Sequence, residues 1–477
     1  MNYKSTKHRL SGTIIVPGSK SHTIRALLLA ALADGVSNIK NPLPSADCLS
    51  AAHAIKAFGA KVDIGCPVDE KGIPQGTPTE TWVVTGAGKN AHLPDCQIDV
   101  GNSGSTLYFF TPVAATFSGK SSFTGDESIC KRPVNHLLDA LRQLGAEAST
   151  DRVGVDAPPF SVTGPIKAGS VTTDGRLSQY ISGLMMASLL IDGELDINLT
   201  DPKEVPYLTM TQLWLKNVGV DVDISPDYKK IKTHGKKAIK AFDTIIPSDW
   251  EGVAFPLMAA ILSGSDIVID GIDTTGSQGD DAIVEILKSL GADLMIEKLS
   301  ETSGRLIVNG SKSQNLSTKR GNFKDDILRV NIASFPDAVC ALAALSCFVD
   351  GTVILEDTEV CRKKETDRIK VMVEELSKLG GNLVDGLTLP QDNPLFGDQL
   401  IIYGNKDALH GGTVESYDDH RVAMSLACFG LALENDSVTV KDGECCSVSF
   451  PGFFEKMNEL GAGFLGIKIT SCNFYPC

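Results

Sequence analysis

Amphipathic stretches that end at a glycine recur six times along the chain, and each is followed by a short run of β-type residues. Glycine just past the last turn is expected at a helix C-cap, because it adopts left-handed backbone angles without a Cβ clash. The stops are Gly59, Gly145, Gly219, Gly291, Gly380 and Gly461. They lie 72 to 89 residues apart, too long for a solenoid repeat, which predicts a duplicated supersecondary block.

A second set of helices is apolar on all sides. These segments begin near Ser21, Ser105, Ser178, Glu251, Asp337 and Asp419. A helix that is apolar all round has to be buried on every side. We therefore predict an α/β fold of two similar domains, each of three repeated β/α units with the apolar helices inside, an inside-out α/β barrel.

Chain length and the block pattern divide the protein in two. Its 477 residues exceed the roughly 250–300 at which a single core stops growing. We predict one domain from residues 1–18 plus 247–477, with the N-terminal strand at residues 12–17 crossing back, and a second domain from residues 19–246. The two connections would form a two-strand hinge, and we expect the active site in the cleft between the domains.

Composition excludes several classes of partner. The net charge of −15 argues against nucleic acid and anionic membranes, because both require broad basic surfaces. The apolar runs are shorter than the ~20 residues of a membrane span, and no targeting segment is visible, so we expect a cytoplasmic monomer. The twelve cysteines and eight histidines show no metal-ligand spacing, so we expect buried thiols and neither a structural metal nor a cofactor.

Three charged turns precede apolar helices and point to an anionic ligand. Residues 364–368 read Lys-Glu-Thr-Asp-Arg and are expected to open a helix over residues 363–379. Residues 418–421 read Asp-Asp-His-Arg, and residues 18–21 read Gly-Ser-Lys-Ser, with Arg25 one turn later. A cation at a helix N-terminus completes a phosphate or carboxylate site. Charged residues also cap ordinary surface helices, but three such turns favour a site for a polyanionic substrate.

Five motifs resemble, in order and spacing, those of the enolpyruvyl transferases, most closely the branch that acts in the shikimate pathway of aromatic amino acid biosynthesis. They are residues 17–21, 101–104 (Gly-Asn-Ser-Gly), 131–133 (Lys-Arg-Pro), 364–368 and 419–421. The resemblance implies transfer of the enolpyruvyl group of phosphoenolpyruvate to the 5-hydroxyl of shikimate 3-phosphate, with release of phosphate. These two small molecules are the expected partners.

The resemblance also implies roles for individual residues. For catalysis by addition and elimination it implies Asp337 at the attacking hydroxyl, Glu365 at the methylene carbon and Lys20 at the leaving phosphate. Glu365 could otherwise serve only as an ion-pair partner of Arg368, three residues on. Phosphoenolpyruvate is expected to bind Lys20, Gly104, Arg132, Gln179, Arg368 and Arg421. Shikimate 3-phosphate is expected to bind Ser21, Arg25, Ser178, Gln179, Tyr207, Asp337 and Lys364.

Five positions depart from the family's pattern. Tyr108 stands where arginine is usual, and Leu177 and Glu204 each stand where serine is usual. Val360 replaces a frequent asparagine, and Val448 a frequent lysine. A carboxylate facing a phosphate in a dry site is costly, so Glu204 is turned away, protonated or a sign of a different acceptor. The acceptor half of the site is therefore altered, whereas the phosphoenolpyruvate half is preserved.

The sequence is compatible with three other functions. An enolpyruvyl transferase could act on a different cyclic alcohol. The sister transferase that acts on UDP-N-acetylglucosamine uses a loop cysteine, but here the nearest one, Cys130, lies too close to Pro133. A non-catalytic anion-binding homologue would gain little from Asp337 and Glu365 beside an anion. The resemblance also implies that Gly104 lines the phosphoenolpyruvate pocket and leaves room for the inhibitor glyphosate, so we expect sensitivity to it.

Overall fold

Six four-stranded sheets with one common layout make up the described part of the chain, which comprises residues 1–93, 96–300, 302–313 and 315–468 of this computed structural model. The cysteine-bearing tail at residues 472–477 lies outside it. In every sheet one pair of strands at an edge is parallel, and the other two pairs of neighbouring strands are antiparallel. This regularity matches the six predicted blocks.

The helices and strands of this part of the chain follow one another in a repeated order. The α-helices are α1 (Lys20–Leu32), α2 (Ala46–Ala54), α3 (Gly104–Ala114), α4 (Asn135–Gln143), α5 (Ser178–Ala187), α6 (Val205–Asn217), α7 (Trp250–Ser263), α8 (Ile283–Ser289), α9 (Val339–Ser346), α10 (Arg368–Ser377), α11 (His420–Gly430) and α12 (Phe453–Glu459). The strands are β1 (Asn2–Thr6), β2 (Ser11–Ile15), β3 (Asp34–Lys40), β4 (Lys61–Asp63), β5 (Thr81–Ala87), β6 (Ile98–Asp99), β7 (Gly119–Thr124), β8 (Glu147–Thr150), β9 (Phe160–Gly164), β10 (Gly169–Thr173), β11 (Leu195–Leu199), β12 (Val222–Ile224), β13 (Lys230–Thr233), β14 (Asp243–Ile245), β15 (Asp266–Asp273), β16 (Leu294–Lys298), β17 (Ser303–Asn309), β18 (Ile327–Asn331), β19 (Gly351–Glu356), β20 (Asn382–Asp385), β21 (Gln399–Gly404), β22 (Gly412–Glu415), β23 (Ser437–Lys441) and β24 (Leu465–Ile467).

The chain divides into two compact units of three sheets each. Unit 1 comprises residues 1–16 and 250–274 and the described residues from 280 onward, and unit 2 comprises residues 17–249 and 275–279. The sheets of unit 1 have the strand orders β2-β15-β17-β16, β18-β19-β21-β20 and β22-β23-β1-β24. Those of unit 2 have the orders β14-β3-β5-β4, β6-β7-β9-β8 and β10-β11-β13-β12.

Two strands, β2 and β14, each pair with a strand of one unit and lead into a helix of the other unit. β2 pairs in parallel with β15 of unit 1, whereas the helix that follows β2, α1, belongs to unit 2. Conversely, β14 pairs in parallel with β3 of unit 2, whereas the helix that follows it, α7, belongs to unit 1. The two connections run side by side: Gly18 pairs with Ser248, and the Ser19 N–H donates to the Pro247 carbonyl at 2.7 Å.

Buried helices fill the centre of each unit, as the sequence predicts. Every residue of α3 and α11 is buried, as is every residue of α1 except Lys20. Each unit has its own apolar core, built on α1, α3 and α5 in unit 2 and on α7, α9 and α11 in unit 1. The inside-out α/β fold is therefore confirmed. Among the helices of the described residues, none combines the length and apolar character needed to cross a membrane.

All six predicted glycine stops hold left-handed backbone angles, with φ between 81° and 101°. A strand follows each of them: β4, β8, β12, β16, β20 and β24. At Gly380 an added Cβ would also lie 2.1 Å from the Ala408 carbonyl oxygen, whereas at Gly145 it would meet nothing within 4 Å. These two equivalent positions therefore separate the cost of backbone strain from the cost of a clash.

We expect Gly380→Ala to destabilise the protein by about 3 kcal/mol and Gly145→Ala by about 1 kcal/mol. Left-handed angles cost alanine about 1 kcal/mol at both positions, and the clash with a backbone carbonyl adds roughly 1–3 kcal/mol at Gly380 alone. Urea unfolding followed by circular dichroism measures both losses. Equal losses in the two variants would contradict this geometry.

Asp281 introduces a pH dependence into the stability of unit 1. The residue lies in the 3-10 turn Gly279–Ala282. Burial, and after it the charge of Asp273, raises the pKa of Asp281 from 3.8 to about 6. Between these two values the folded protein keeps a proton that the unfolded chain has released. The contribution of Asp281 to stability therefore falls as the pH rises through this window.

We expect Asp281→Asn to raise the free energy of unfolding by about 1 kcal/mol above pH 7, allowing for partial exposure of the group, and to have no effect near pH 4. Asp266→Asn is the matched control. Hydrogen bonds from Ser311 lower the pKa of Asp266, so this variant should lose stability at neutral pH. Thermal unfolding between pH 4 and 8 measures both. A gain for Asp281→Asn that is independent of pH would refute the assignment.

Candidate active site

The first turns of the buried helices collect the polar residues that the sequence singles out. In unit 1 these residues belong to α11, to the turn that leads into α10, and to the 3-10 turn Pro336–Ala338 before α9. In unit 2 they belong mainly to α1, α3 and α5. Because these helices run into apolar cores, their polar side chains lie where desolvation strengthens electrostatic interactions.

Arg368 is the centre of the cluster in unit 1. Its fully buried guanidinium contacts three carboxylates: Asp419 Oδ2 lies 2.8 Å from Nε, Asp337 Oδ1 lies 2.6 Å from Nη1, and Glu365 Oε2 lies 2.7 Å from Nη2. Burial opposes the positive charge, but Asp419, Glu365 and Asp337 outweigh it and raise the pKa of Arg368. Arg368 is therefore a permanent cation that fixes both predicted catalytic carboxylates of this unit.

Two further cations reach Asp337. Arg421 Nε lies 3.2 Å from Asp337 Oδ1, and Lys364 Nζ lies 3.3 Å from Asp337 Oδ2. Arg421 also pairs through Nη2 with Glu251 of α7. Three cations thus converge on one carboxylate, and each can exchange an internal partner for the carboxylate or phosphate of a ligand.

The predicted helix start at residue 363 is wrong. Residues 359–363 form a 3-10 turn, residues 364–367 are non-helical, and α10 begins at Arg368. The Asp367 carboxylate accepts a hydrogen bond from the Lys370 N–H at 3.1 Å, which is the geometry of an N-cap. The cap keeps Lys364 and Glu365 outside the helix, on the turn that contacts the Arg368 cluster.

Helix α1 carries two cations with different surroundings. Lys20 Nζ pairs with Asp47 Oδ2 at 3.1 Å. Arg25 is 1% exposed and lies 4.7 Å above the Phe109 ring. Burial lowers the pKa of Arg25 to about 9. Its four hydrogen-bond acceptors are neutral: the carbonyls of Ser21 and Tyr207 and the hydroxyls of Ser182 and Thr211.

The starts of α3 and α5 bring three predicted residues close to one another. A Cβ at Gly104 would lie 2.5 Å from Arg132 Nη1, so the guanidinium of Arg132 packs directly on the first turn of α3. Gln179 Nε2 donates to Ser105 Oγ at 3.1 Å and thereby joins α5 to α3. A larger residue at position 104 would make the end of the Arg132 side chain move away from the first turn of α3.

Ser178, the first residue of α5, is bound to Glu204. The backbone N–H of Ser178 lies 3.1 Å from Glu204 Oε2, and its hydroxyl lies 3.0 Å from the same oxygen. Glu204 is 4% exposed and precedes α6 with a φ of 51°, a conformation that costs a non-glycine residue on the order of 1–3 kcal/mol. Its side chain makes no cap hydrogen bond to α6. The carboxylate instead caps the neighbouring helix, α5.

The predicted residues therefore fall into local groups within each unit. In unit 1, one connected cluster contains Asp337, Lys364, Glu365, Arg368 and Arg421. In unit 2, the groups are Ser21 with Arg25 and Tyr207, Gly104 with Arg132, Ser178 with Glu204, Gln179 with Ser105, and Lys20 with Asp47. Five partners of these residues were not among the predicted site residues: Asp47, Ser182, Thr211, Glu251 and Asp419. Glu251 and Asp419 gave a usable signal, since each is a charge at the start of an apolar helix.

Comparison with known proteins assigns the chain to a family. A family model described as EPSP synthase (3-phosphoshikimate 1-carboxyvinyltransferase) matches residues 4–457. The chain belongs to the EPSP synthase family. A curated relative from Acetivibrio thermocellus, named 3-phosphoshikimate 1-carboxyvinyltransferase, is 36% identical over 462 residues, which cover 97% of this chain and 99% of the relative.

Further relatives agree with this membership. A protein of the same name from Methanocaldococcus jannaschii is 34% identical over 457 residues, which cover 95% of this chain and 96% of the relative. An EPSP synthase structure from Acinetobacter baumannii has a TM-score of 0.77 at 25% identity, covering 97% of this chain and 99% of that one. The likeness to EPSP synthases therefore extends over nearly the whole chain.

Three of the five positions expected to depart from the family's pattern, Tyr108, Leu177 and Glu204, lie in unit 2. Tyr108 is buried, and its hydroxyl donates to the Pro133 carbonyl at 2.7 Å. Burial raises the pKa of Tyr108 to about 12, so the residue is neutral at physiological pH. Leu177 packs against the apolar core, and Glu204 adds a carboxylate. Nothing in the structure explains Val360 or Val448.

We expect Arg368→Ala to lower the free energy of unfolding by about 3–5 kcal/mol, because it leaves the three surrounding carboxylates without their shared cation. Arg329→Ala is the matched control. Arg329 forms an exposed ion pair with Glu356, whose loss costs at most about 1 kcal/mol. Urea unfolding measures both variants, and a similar loss in each would contradict the central position of Arg368.

Proposed function

We propose that this chain transfers the enolpyruvyl group of phosphoenolpyruvate to the 5-hydroxyl of shikimate 3-phosphate and releases inorganic phosphate, as membership of the EPSP synthase family supports. The Arg368 cluster carries the proposal. One buried cation holds the carboxylates Asp337 and Glu365 beside the cations Lys364 and Arg421. The reaction needs this combination, because it joins two anions and moves protons at both of them.

We propose that phosphoenolpyruvate binds by replacing internal ion pairs. In this account Arg421 exchanges its contact with Glu251 for an oxygen of the substrate, and Arg368 keeps Asp419 as a permanent partner. The residues proposed for this substrate are Lys20, Gly104, Arg132, Gln179, Arg368 and Arg421. A guanidinium that is already oriented by carboxylates loses little conformational freedom on binding, so the exchange favours affinity.

The proposed chemistry is an addition followed by an elimination. In the addition, the 5-hydroxyl oxygen bonds to C2 of phosphoenolpyruvate, its proton passes to Asp337, and C3 gains a proton from Glu365. In the elimination, the bond between C2 and the phosphate oxygen breaks, Lys20 protonates the leaving phosphate, and C3 returns a proton to Glu365. Glu365 therefore acts as acid and then as base.

We propose that residues of both units act on the same pair of substrates, since Lys20 belongs to unit 2 and Asp337 and Glu365 to unit 1. Shikimate 3-phosphate is proposed to contact Ser21, Arg25, Ser178, Gln179, Tyr207, Asp337 and Lys364. The cytoplasmic location, the monomeric state and the sensitivity to glyphosate stay predictions.

A second candidate function is enolpyruvyl transfer to a different cyclic alcohol. The observation that favours it is the contact between Glu204 and Ser178, because a carboxylate already occupies one proposed partner of the acceptor's phosphate. Comparing shikimate 3-phosphate with other cyclic alcohols as acceptors separates the two candidates.

We expect phosphate release from phosphoenolpyruvate to require shikimate 3-phosphate, and Glu365→Gln to lower kcat by roughly 100-fold or more, since glutamine cannot transfer the proton. Glu285→Gln, in an exposed ion pair with Lys288, is the matched control and should keep full activity. A phosphate-release assay under steady-state conditions measures the rates. Phosphate release at the same rate without shikimate 3-phosphate would overturn the proposal, as would full activity in Glu365→Gln.

A further inference from the structure

Glu204 is a buried carboxylate that precedes one helix, α6, but caps another, α5. It stands directly before α6, yet its Oε2 accepts both the N–H and the hydroxyl of Ser178 on α5, at 3.1 and 3.0 Å. The left-handed φ of 51° is retained although Glu204 is not a glycine. The local backbone therefore adopts a disfavoured conformation that directs this side chain to α5.

The surroundings of Glu204 belong to the proposed acceptor residues. Its carbonyl accepts the N–H of Tyr207 at 3.0 Å, and the Tyr207 carbonyl accepts from Arg25 at 3.2 Å. Burial is the main cause of the raised pKa of Tyr108, Arg132 opposes it, and the charges of Asp156 and then Glu204 add smaller contributions. Glu204 thus contacts Ser178 and Tyr207 directly and is linked through Tyr207 to Arg25, three of the residues proposed for the acceptor.

The two hydrogen-bond donors of Ser178 at the start of α5 can bind only one anion at a time. The N–H and hydroxyl of Ser178 attract a carboxylate or a phosphate through hydrogen bonds and the partial positive charge of the helix end. Two anions held a few ångströms apart in a site with little water repel each other strongly. A phosphate that approaches Ser178 therefore has to displace the Glu204 carboxylate.

We propose that Glu204 is a specificity-determining residue that occupies the Ser178 donors in place of the acceptor's phosphate and has to be displaced when the acceptor binds. This inference rests on the proposed function, in which Ser178 contacts shikimate 3-phosphate. Glu204 then weakens the binding of the phosphorylated acceptor while leaving the phosphoenolpyruvate residues of unit 1 untouched. A purely structural cap makes the opposite prediction, since its loss would loosen α5 and weaken binding.

The experiment compares wild type, Glu204→Ser and Glu204→Gln by titration calorimetry with shikimate 3-phosphate, shikimate and inorganic phosphate. The serine variant removes the competing carboxylate, and the glutamine variant keeps an acceptor oxygen but loses the charge. We expect Glu204→Ser to bind shikimate 3-phosphate roughly tenfold more tightly than wild type, and Glu204→Gln to gain a smaller factor. Affinity for shikimate, which lacks the phosphate, should not change. Glu194→Gln, in an exposed ion pair with Lys232, is the control and should match wild type.

The outcomes separate this inference from the proposed function. Unchanged or weaker binding of both shikimate 3-phosphate and inorganic phosphate by the folded variants would overturn the role of Glu204. Tighter binding of inorganic phosphate by Glu204→Ser supports it even if wild type fails to turn over shikimate 3-phosphate, a failure that would count against the proposed function alone. An equal gain for shikimate and shikimate 3-phosphate would show that Glu204 does not compete with a phosphate, and would also overturn the inference.

Discussion

A guanidinium that is fully removed from water needs partners for its charge and its N–H groups, and Arg368 imposes this constraint on unit 1. Removing a charge from water costs several kcal/mol unless partners surround it. Asp337, Glu365 and Asp419 meet this requirement from three different segments, the turn before α9, the turn before α10 and the cap of α11. The interaction that makes the buried charge tolerable therefore also fixes the two carboxylates proposed to move protons.

Unit 2 has the same architecture as unit 1, but its buried arginine has a different kind of partner. Arg25 is held by neutral oxygens and an aromatic ring, which leaves its charge available to an anionic ligand. Glu204 instead brings a carboxylate to the start of α5, close to the residues proposed for the acceptor. The two units thus share a fold, but the buried Arg368 of unit 1 is paired with carboxylates and the buried Arg25 of unit 2 is not.

The repeated fold could be predicted because each block carries its own local signals. The glycine stops at Gly380 and the five equivalent positions require left-handed angles, and apolar helices such as α3 have to be buried. The start of α10 could not be placed, because Asp367 caps the helix four residues after the predicted start. Long-range partners such as Asp47 for Lys20 gave no signal, since nothing local to either residue specifies the pair. Glu204 was recognised as a departure, but its contact with Ser178 depends on the packing of α6 beside α5.

The most direct test of the central claim is a crystal structure of the protein with shikimate 3-phosphate and an unreactive analogue of phosphoenolpyruvate. We expect the carboxylate or phosphate of the analogue to contact Arg421 and Arg368. Arg421 should then no longer pair with Glu251, and the pair between Arg368 and Asp419 should be intact. An analogue bound away from this cluster, with the contacts of Arg421 and Lys364 unchanged, would contradict the claim that these paired cations form the substrate site.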